Sequence, residues 1–258
     1  KESQQELSPS DIDRILSSLP SLRWLTLTGG EIMTRPDIAE IFDVVRAHAP
    51  RLIFLNFTTN GASPGKTAAL APRLAHPRGP RPVINVSIDG PEALHDQMRG
   101  RPGAFALAVK TARRLAREPL VETYVGSTLT PLNIGRVDEV HAALREALPE
   151  LVPSRWHVNV MTRSGHFFDN LGVDVPTKAQ VIEASYRVEA LRGMPRDAFA
   201  LVERLALRNL RAYVRREQAP VPCQAVRASL YIGAQGATYG CHILDKPLGD
   251  LRETGDDL

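Results

Sequence analysis

The stretch RWLTLTGGEIMTRPDI, residues 23–38, decides the fold of this chain. Trp24 to Thr28 are good strand formers, and the residues after Pro36 predict the start of a helix. Between these two parts lie two glycines and a glutamate, Gly29, Gly30 and Glu31. A strand that ends in open backbone and is followed by a helix is typical of α/β proteins, in which ligands bind at strand ends.

The alternation of strand and helix patterns continues along the chain. Further strands are predicted at 51–59, 81–89, 120–130 and 155–162, with helices between them such as 37–49, 103–118 and 135–148. Strands separated by helical patterns predict a parallel sheet with crossover helices. The expected fold class is therefore α/β, with either an open doubly wound sheet or a full or partial barrel.

The pattern changes after residue 162. Residues 163–176 are predicted to form an irregular loop, and two helices are predicted at about 177–192 and 197–217. The second helix repeats apolar residues at three- and four-residue spacing, which predicts a packing face made of Phe199, Val202, Ala206, Leu210 and Tyr213. Two short strands, 228–232 and 237–239, flank the turn GAQG and predict a hairpin.

Composition restricts the classes of function. A chain of 258 residues suffices for one large α/β domain with a small appendage. Its net charge of +3 rests on 27 arginines and five lysines scattered along helices, and no basic block alternates with aromatic residues, which disfavours nucleic-acid binding. No apolar run reaches membrane-spanning length and no signal peptide is visible. Two cysteines make no disulfide framework, which favours a reducing, cytoplasmic location.

Four predicted strands end in residues suited to ligand binding. The first ends in Gly-Gly-Glu, and the second in TTNG, which includes Asn60. Glycines let a ligand approach the backbone, and the carboxylate of Glu31 can hold an ammonium group. Each signal alone is also typical of an ordinary turn. Their occurrence on successive strands favours a shared ligand site.

The third and fourth strand ends add further candidates. Ser87 and Asp89, in VSIDG, alternate to one face, where a hydroxyl and a carboxylate suit a ribose. Arg99, in the following HDQMRG, can clamp a carboxylate with two hydrogen bonds. The fourth strand contributes Ser127.

These segments resemble the radical S-adenosylmethionine enzymes. LTLTGGEIMTRPDI, FTTNG and VSIDGPEALHDQMRGRPGAF are similar to successive segments of the branch that modifies peptides and proteins. Cys223, Gly236 and Cys241 match the C-x(9–15)-G-x4-C opening of the extensions called SPASM or twitch domains, and PLGDLRE follows as it usually does there. The resemblance covers residues 20–130 and 220–253, whereas 163–217 match only in general layout.

The resemblance implies a partial parallel (β/α)6 barrel with a small C-terminal extension that contains a hairpin. We expect three regions: the barrel at 1–162, a helical connection at 163–217 and the start of the extension at 218–258. In this family a [4Fe-4S] cluster cleaves S-adenosylmethionine and yields a 5′-deoxyadenosyl radical that modifies a substrate. The implied partners are a peptide or small-molecule substrate and an electron donor such as flavodoxin or ferredoxin.

The resemblance also implies roles for the strand-end residues. The methionyl end of the cofactor would meet Gly29, Gly30 and Glu31, with Asn60 in the same site. The ribose would meet Ser87 and Asp89, the carboxylate would meet Arg99, and Ser127 would lie near the cofactor. No residue is assigned as a catalytic acid or radical quencher.

The chain departs from the family in its cysteines. The cluster of the family is held by C-x3-C-x2-C just before the GGE segment, and this chain has no cysteine before Cys223. We expect these ligands to lie in sequence that precedes Lys1. A cluster-free barrel that binds a nucleoside or peptide without radical chemistry is the alternative, and an ordinary α/β metabolic enzyme is a third reading.

Cys223 and Cys241 are expected to lie close together, because the hairpin between them folds the chain back. They would then be ligands of an auxiliary [4Fe-4S] cluster, which needs about four ligands and so needs others from elsewhere. Alternatively, they are two unrelated thiols of the core.

Overall fold

A computed structural model describes residues 6–195, 197–218 and 222–252. The helices are α1 Pro9–Ser18, α2 Ile38–His48, α3 Pro64–Leu70, α4 Glu92–Arg99, α5 Ala104–Leu115, α6 Val137–Ala147, α7 Gly165–Phe168, α8 Lys178–Arg192 and α9 Ala198–Arg216. The strands are β1 Trp24–Leu27, β2 Phe54–Thr59, β3 Val83–Ser87, β4 Glu122–Leu129, β5 Trp156–Val160, β6 Tyr231–Ile232, β7 Ala237–Tyr239 and β8 Pro247–Asp250.

The main sheet consists of five parallel strands in the order β1-β2-β3-β4-β5. They are the five strands that the sequence predicts, and helices connect them in succession. The sheet is curled, so the fold is a partial parallel barrel, as the resemblance implies, with five of the six expected strands in the described residues. Because all five strands run in one direction, their carboxyl ends meet at one rim.

The core lies between the sheet and its helices. Leu55, Phe57, Ile84, Val86 and Val125 are fully buried on the outer face of the sheet. Burying each such side chain contributes about 1.5–3 kcal/mol. The alternate residues of these strands point to the opposite side, called the inner face here. The packed outer face therefore fixes the strands and, with them, the strand ends at the rim.

The C-terminal extension forms a second, antiparallel sheet in the order β6-β7-β8. The predicted hairpin is present, with Ile232 paired to Thr238, although β6 is shorter than predicted. The third strand, β8, was not predicted, because Pro247 and Gly249 are poor strand formers. The predicted region 218–258 includes residues 219–221 and 253–258, which lie outside those described. The predicted region 1–162 likewise includes residues 1–5, with Lys1, outside those described.

Two other predictions were incomplete or wrong. Helix α4 was not predicted, because the segment after β3 was given no secondary structure. The predicted packing face of α9 was wrong, since Val202 and Tyr213 are 57% and 51% exposed. The buried positions of α9 include Glu203 and Arg211, which pair with residues of other elements. A hydrophobic pattern cannot reveal a face whose buried residues are charged.

In the described part of the chain, no helix has the length and apolar character needed to cross a membrane.

Candidate functional site

Glu31 joins the ends of the first two strands. Its Oε1 accepts hydrogen bonds from the Met33 amide at 3.1 Å and from the Thr59 hydroxyl at 2.9 Å. Its Oε2 accepts one from the Asn60 amide at 2.5 Å. A carboxylate has about four acceptor positions, so one remains for a ligand. The GGE and TTNG segments, 28 residues apart at this contact, therefore form one unit.

The two glycines before Glu31 form an open cradle. Gly29 has a φ of +148°, a conformation that side chains rarely adopt, and both glycines are exposed. A Cβ built at Gly29 or Gly30 meets no heavy atom of the described residues within 4 Å. A ligand can thus reach the backbone here, which fits the methionyl end of S-adenosylmethionine.

Asn60 lies beside this cradle but uses its side chain locally. Its Oδ1 accepts a hydrogen bond from the Ala62 amide at 2.8 Å, which stabilises the turn after β2. Its own amide is bound to Glu31. The side-chain nitrogen of Asn60 remains the group best placed to meet a ligand.

Asp89 and Arg99 form an ion pair at the end of β3. The Arg99 guanidinium donates to Oδ2 of Asp89 at 2.6 Å, and the Thr128 amide donates to Oδ1 at 2.9 Å. The Asp89 side chain is only 4% exposed, whereas that of Arg99 is 33% exposed. Asp89 therefore holds Arg99 at the rim, and Arg99 presents the remaining part of its planar fork to solvent.

The loop that carries this pair is anchored by His95 and Asn133. The Asp89 amide donates to Nδ1 of the fully buried His95 at 3.0 Å, and the Asp89 carbonyl accepts from Asn133 at 2.8 Å. Burial lowers the pKa of His95, which keeps its Nδ1 an acceptor. Sequence reasoning missed both residues. The spacing of His95 and Arg99, one helical turn apart, was the available signal.

Ser87 and Ser127 lie on opposite faces of the sheet. Ser87 lies on the inner face and is partly exposed. Ser127 is 1% exposed, and its hydroxyl donates to the Ile88 carbonyl at 2.6 Å and accepts from the Trp156 indole at 3.0 Å. Ser127 thus supports the β3 end from behind, while its neighbour Thr128 is exposed on the inner face.

The two cysteines are free thiols. Cys223 is exposed, and Cys241 is partly buried, with its sulfur accepting a hydrogen bond from the Leu244 amide at 3.3 Å. Among the described residues, no group of three or more His, Cys, Asp or Glu side chains could hold a metal ion. A [4Fe-4S] cluster needs about four ligands, so the residues of this chain alone do not fit either cluster. Proximity of Cys223 to Cys241 stays a prediction.

An aromatic cluster joins the loop after β5 to the C-terminal sheet. The Asp245 carboxylate accepts hydrogen bonds from the amides of Gly165 and His166, at 2.8 and 2.9 Å, and from the His166 ring. These hydrogen bonds hold the pKa of Asp245 well below its usual range. The His166 ring also stacks on Tyr239 at 3.9 Å between centroids. Sequence reasoning placed an irregular loop here and missed this junction.

Comparisons with known proteins agree with this geometry. No family model matches the chain. It is 30% identical over 140 residues to Mycofactocin maturase MftC of Mycobacterium ulcerans, covering 53% of this chain and 36% of the relative. It is 26% identical over 181 residues to the AdoMet-dependent heme synthase of Oleidesulfovibrio alaskensis, covering 69% of this chain and 43% of the relative. The chain thus spans less than half the length of these curated relatives.

Solved structures show the same fold. A structure described as native anSMEcpe with bound AdoMet has a TM-score of 0.63, with 95% of this chain and 68% of that chain covered at 14% identity. A second, described as the same protein with bound AdoMet and Kp18Cys peptide, has a TM-score of 0.59 at 14% identity, with the same coverage of 95% and 68%. The chain is thus similar in sequence to a mycofactocin maturase and an AdoMet-dependent heme synthase and shares its fold with a protein that binds AdoMet, in agreement with the resemblance to the radical S-adenosylmethionine superfamily.

Proposed function

We propose that this chain is the S-adenosylmethionine-binding barrel of a radical S-adenosylmethionine enzyme that modifies a peptide. The observation that carries the proposal is the Glu31 carboxylate, which draws the GGE and TTNG segments together beside two open glycines. The resemblance to the superfamily supports the cofactor. The descriptions of two similar proteins, one a mycofactocin maturase and one a structure with AdoMet and a peptide, support a peptide substrate.

The methionyl end of S-adenosylmethionine is assigned to the cradle. The open backbone at Gly29 and Gly30 receives it, and the remaining acceptor position of Glu31 binds its amino group, with Asn60 alongside. The other three acceptor positions of Glu31 hold the two strand ends in place. Glu31 therefore binds the ligand and shapes the site that receives it.

The ribose and the carboxylate are assigned to the β3 end. The Ser87 hydroxyl faces the ribose from the inner face, and the free part of the Arg99 fork binds the carboxylate. Asp89 contributes mainly by holding Arg99, since its side chain is 4% exposed. Ser127 acts from the outer face by supporting Ile88 and Trp156, rather than by touching the cofactor.

S-adenosylmethionine bound with a [4Fe-4S] cluster would supply the 5′-deoxyadenosyl radical chemistry of the superfamily. The cysteines for that cluster are not among the residues of this chain. The electron would come from a donor of the flavodoxin or ferredoxin class. The barrel residues bind and orient the cofactor and exclude water around it.

Calorimetric titration of this chain with S-adenosylmethionine tests the site. We expect weak binding that is abolished by Gly30→Val, because the new side chain fills the cradle without meeting protein atoms. Gly249→Val in β8 is the matched control, since its nearest contact is Thr238 Oγ1 at 4.0 Å. Equal affinities of the two variants would show that the cofactor binds elsewhere.

The complete gene product tests the chemistry. After anaerobic reconstitution with iron and sulfide, we expect bound iron and formation of 5′-deoxyadenosine from S-adenosylmethionine. S-adenosylmethionine binding that depends on Gly30, without iron or cleavage, would instead support the cluster-free barrel.

A further inference from the structure

His157 lies on the inner face of the sheet, in the same row of paired strand residues as Ser87 of the proposed ribose site. By strand register, Ser87 on β3 pairs with Gly126 on β4, and Gly126 pairs with His157 on β5. Neighbouring strands lie about 4.8 Å apart, so the His157 backbone lies about 10 Å from that of Ser87. Gly126 has no side chain between them, and a methyl group there would clash with the Asn85 amide.

The orientation of His157 on the inner face follows from its neighbour. Trp156 is fully buried on the outer face, where its indole donates to Ser127 at 3.0 Å. Side chains alternate along a strand, so His157 points to the inner face, and its side chain is 30% exposed. The next inner-face residue of β5, Asn159, is exposed and uncharged.

A buried ion pair fixes the ring of His157. Glu203 on α9 pairs with His157 Nδ1 at 2.9 Å, and Arg192 donates to the other oxygen of Glu203 at 2.8 Å. The Glu203 and Arg192 side chains are only 10% and 9% exposed. Burial raises the pKa of Glu203, whereas its hydrogen bonds with His157 and Arg192 lower it, and the net shift is downward. Glu203 is therefore ionised at neutral pH.

An ionised carboxylate can only accept hydrogen bonds, which determines the tautomer of the neutral ring. Nδ1 of His157 carries the proton toward Glu203, and Nε2 is left as an acceptor. Tyr124, which precedes Gly126 by two residues on the same face of β4, packs on Phe199 of α9 at 4.4 Å between centroids. Burial, followed by the charge of Glu122, raises the pKa of Tyr124 to about 12, so Tyr124 stays neutral.

We propose that His157 contacts the substrate through Nε2 and accepts a hydrogen bond from a side-chain hydroxyl or thiol group of a peptide. Glu203 is the positioning residue that selects this tautomer, and Arg192 keeps Glu203 ionised. The assignment rests on the proposed function, because the ribose at Ser87 places the reactive end of the cofactor on the same face. The proposed contact specifies which chemical group of the substrate binds at His157.

The tautomer can be measured without a substrate. Ring-nitrogen NMR of the complete protein labelled at histidine, with the signal assigned by its loss in His157→Gln, should show Nδ1 protonated and Nε2 bare. Glu203→Gln should give a mixture of tautomers, since an amide both donates and accepts. Glu189→Gln is the matched control, because Glu189 also joins α8 to α9, but through Arg204 and Arg211 rather than through His157. A proton on Nε2 in the unaltered protein would overturn the proposal.

Short peptides test the contact itself. With S-adenosylmethionine bound, N-acetyl-Ala-Ser-Ala-amide and its Cys counterpart should shift the Nε2 signal, whereas N-acetyl-Ala-Ala-Ala-amide should shift it much less. His157→Gln should weaken binding of the serine peptide about five- to tenfold, the effect of one hydrogen bond, and leave S-adenosylmethionine affinity unchanged. An equal response to all three peptides, or to none, overturns the role of His157. Loss of S-adenosylmethionine binding itself is a separate result and counts against the proposed function.

Discussion

Replacing Glu31 with glutamine tests how the first two strand ends are held together. The carboxylate accepts three hydrogen bonds, two at Oε1 and one at Oε2. In Glu31→Gln, the amide oxygen can keep the Met33 and Thr59 contacts, but the NH2 group then faces the Asn60 amide, donor against donor. The charge is lost as well. Losing one charge-assisted hydrogen bond costs about 1.5–3 kcal/mol, so we expect a loss of about 2 kcal/mol in the free energy of unfolding.

Urea unfolding of this chain, followed by circular dichroism, measures the effect. Glu40→Gln is the control, because Glu40 is an exposed acidic residue of α2 whose side chain forms no hydrogen bond or ion pair with the described residues. A surface change of this kind is expected to stay within about 0.5 kcal/mol. If Glu31→Gln were no more destabilising than Glu40→Gln, Glu31 would not brace the strand ends. The same variant should also lower S-adenosylmethionine affinity, and preserved affinity would contradict its ligand role.

Three further predictions concern charged and titratable groups. Asp89→Asn should weaken S-adenosylmethionine binding about tenfold, because an amide holds Arg99 less well than a carboxylate; calorimetry checks this, and unchanged affinity contradicts it. Burial lowers the pKa of both His95 and His141, so the unfolded chain binds more protons below about pH 6.5. Stability should be full above that pH and fall as the pH drops toward the folded pKa values; urea unfolding at a series of pH values that shows a flat profile contradicts this. Asp245→Asn should speed amide hydrogen exchange in the C-terminal sheet, since it removes the charge that anchors that sheet to α7; unchanged exchange counts against the junction.

The parallel sheet was predictable because its signals are local, whereas the choice of a partial barrel rested on the family resemblance. Each strand is a short run of strand formers, each is followed by a helical pattern, and a parallel sheet brings strand ends to one rim whatever the details. The GGE and TTNG segments could therefore be placed near one another before any coordinates. The hydrogen bond that connects them joins Glu31 to Thr59, which are 28 residues apart, and no local sequence pattern indicates it.

The assignment of Ser127 shows where local signals end. Strand β4 is buried along nearly its whole length, so its sequence does not alternate between apolar and polar residues. A serine in such a strand suggests a ligand, but register places it on the outer face with Val125 and Leu129. The exposed Thr128 carries the same kind of hydroxyl on the inner face. Only the register distinguishes these two neighbours.

The side-chain pairs between distant parts of the chain could not be predicted from the sequence either. Asp89 and Arg99 are ten residues apart, but His157 and Glu203 are separated by 46 and His166 and Asp245 by 79. Each joins elements whose relative position depends on the packing of the whole domain. For this reason the predicted packing face of α9 was wrong, because the buried face of α9 includes charged residues with partners on other elements.

The two acidic residues of the site motifs share a property that bears on ligand affinity. Glu31 uses three of its about four acceptor positions to bind groups of the strand ends. The Asp89 side chain is 4% exposed and forms an ion pair with Arg99. The site is thus shaped before the ligand arrives, but few charged groups remain to bind it. In the proposed binding mode, only one acceptor position of Glu31 and part of the Arg99 fork hold the methionyl end. One hydrogen bond to a charged group contributes about 1.5–3 kcal/mol to binding. This is small compared with the free-energy cost of the translational and rotational entropy lost on association. Tight binding of S-adenosylmethionine therefore requires further ligands for the methionyl end, and affinity should rise sharply between this chain and the reconstituted complete protein.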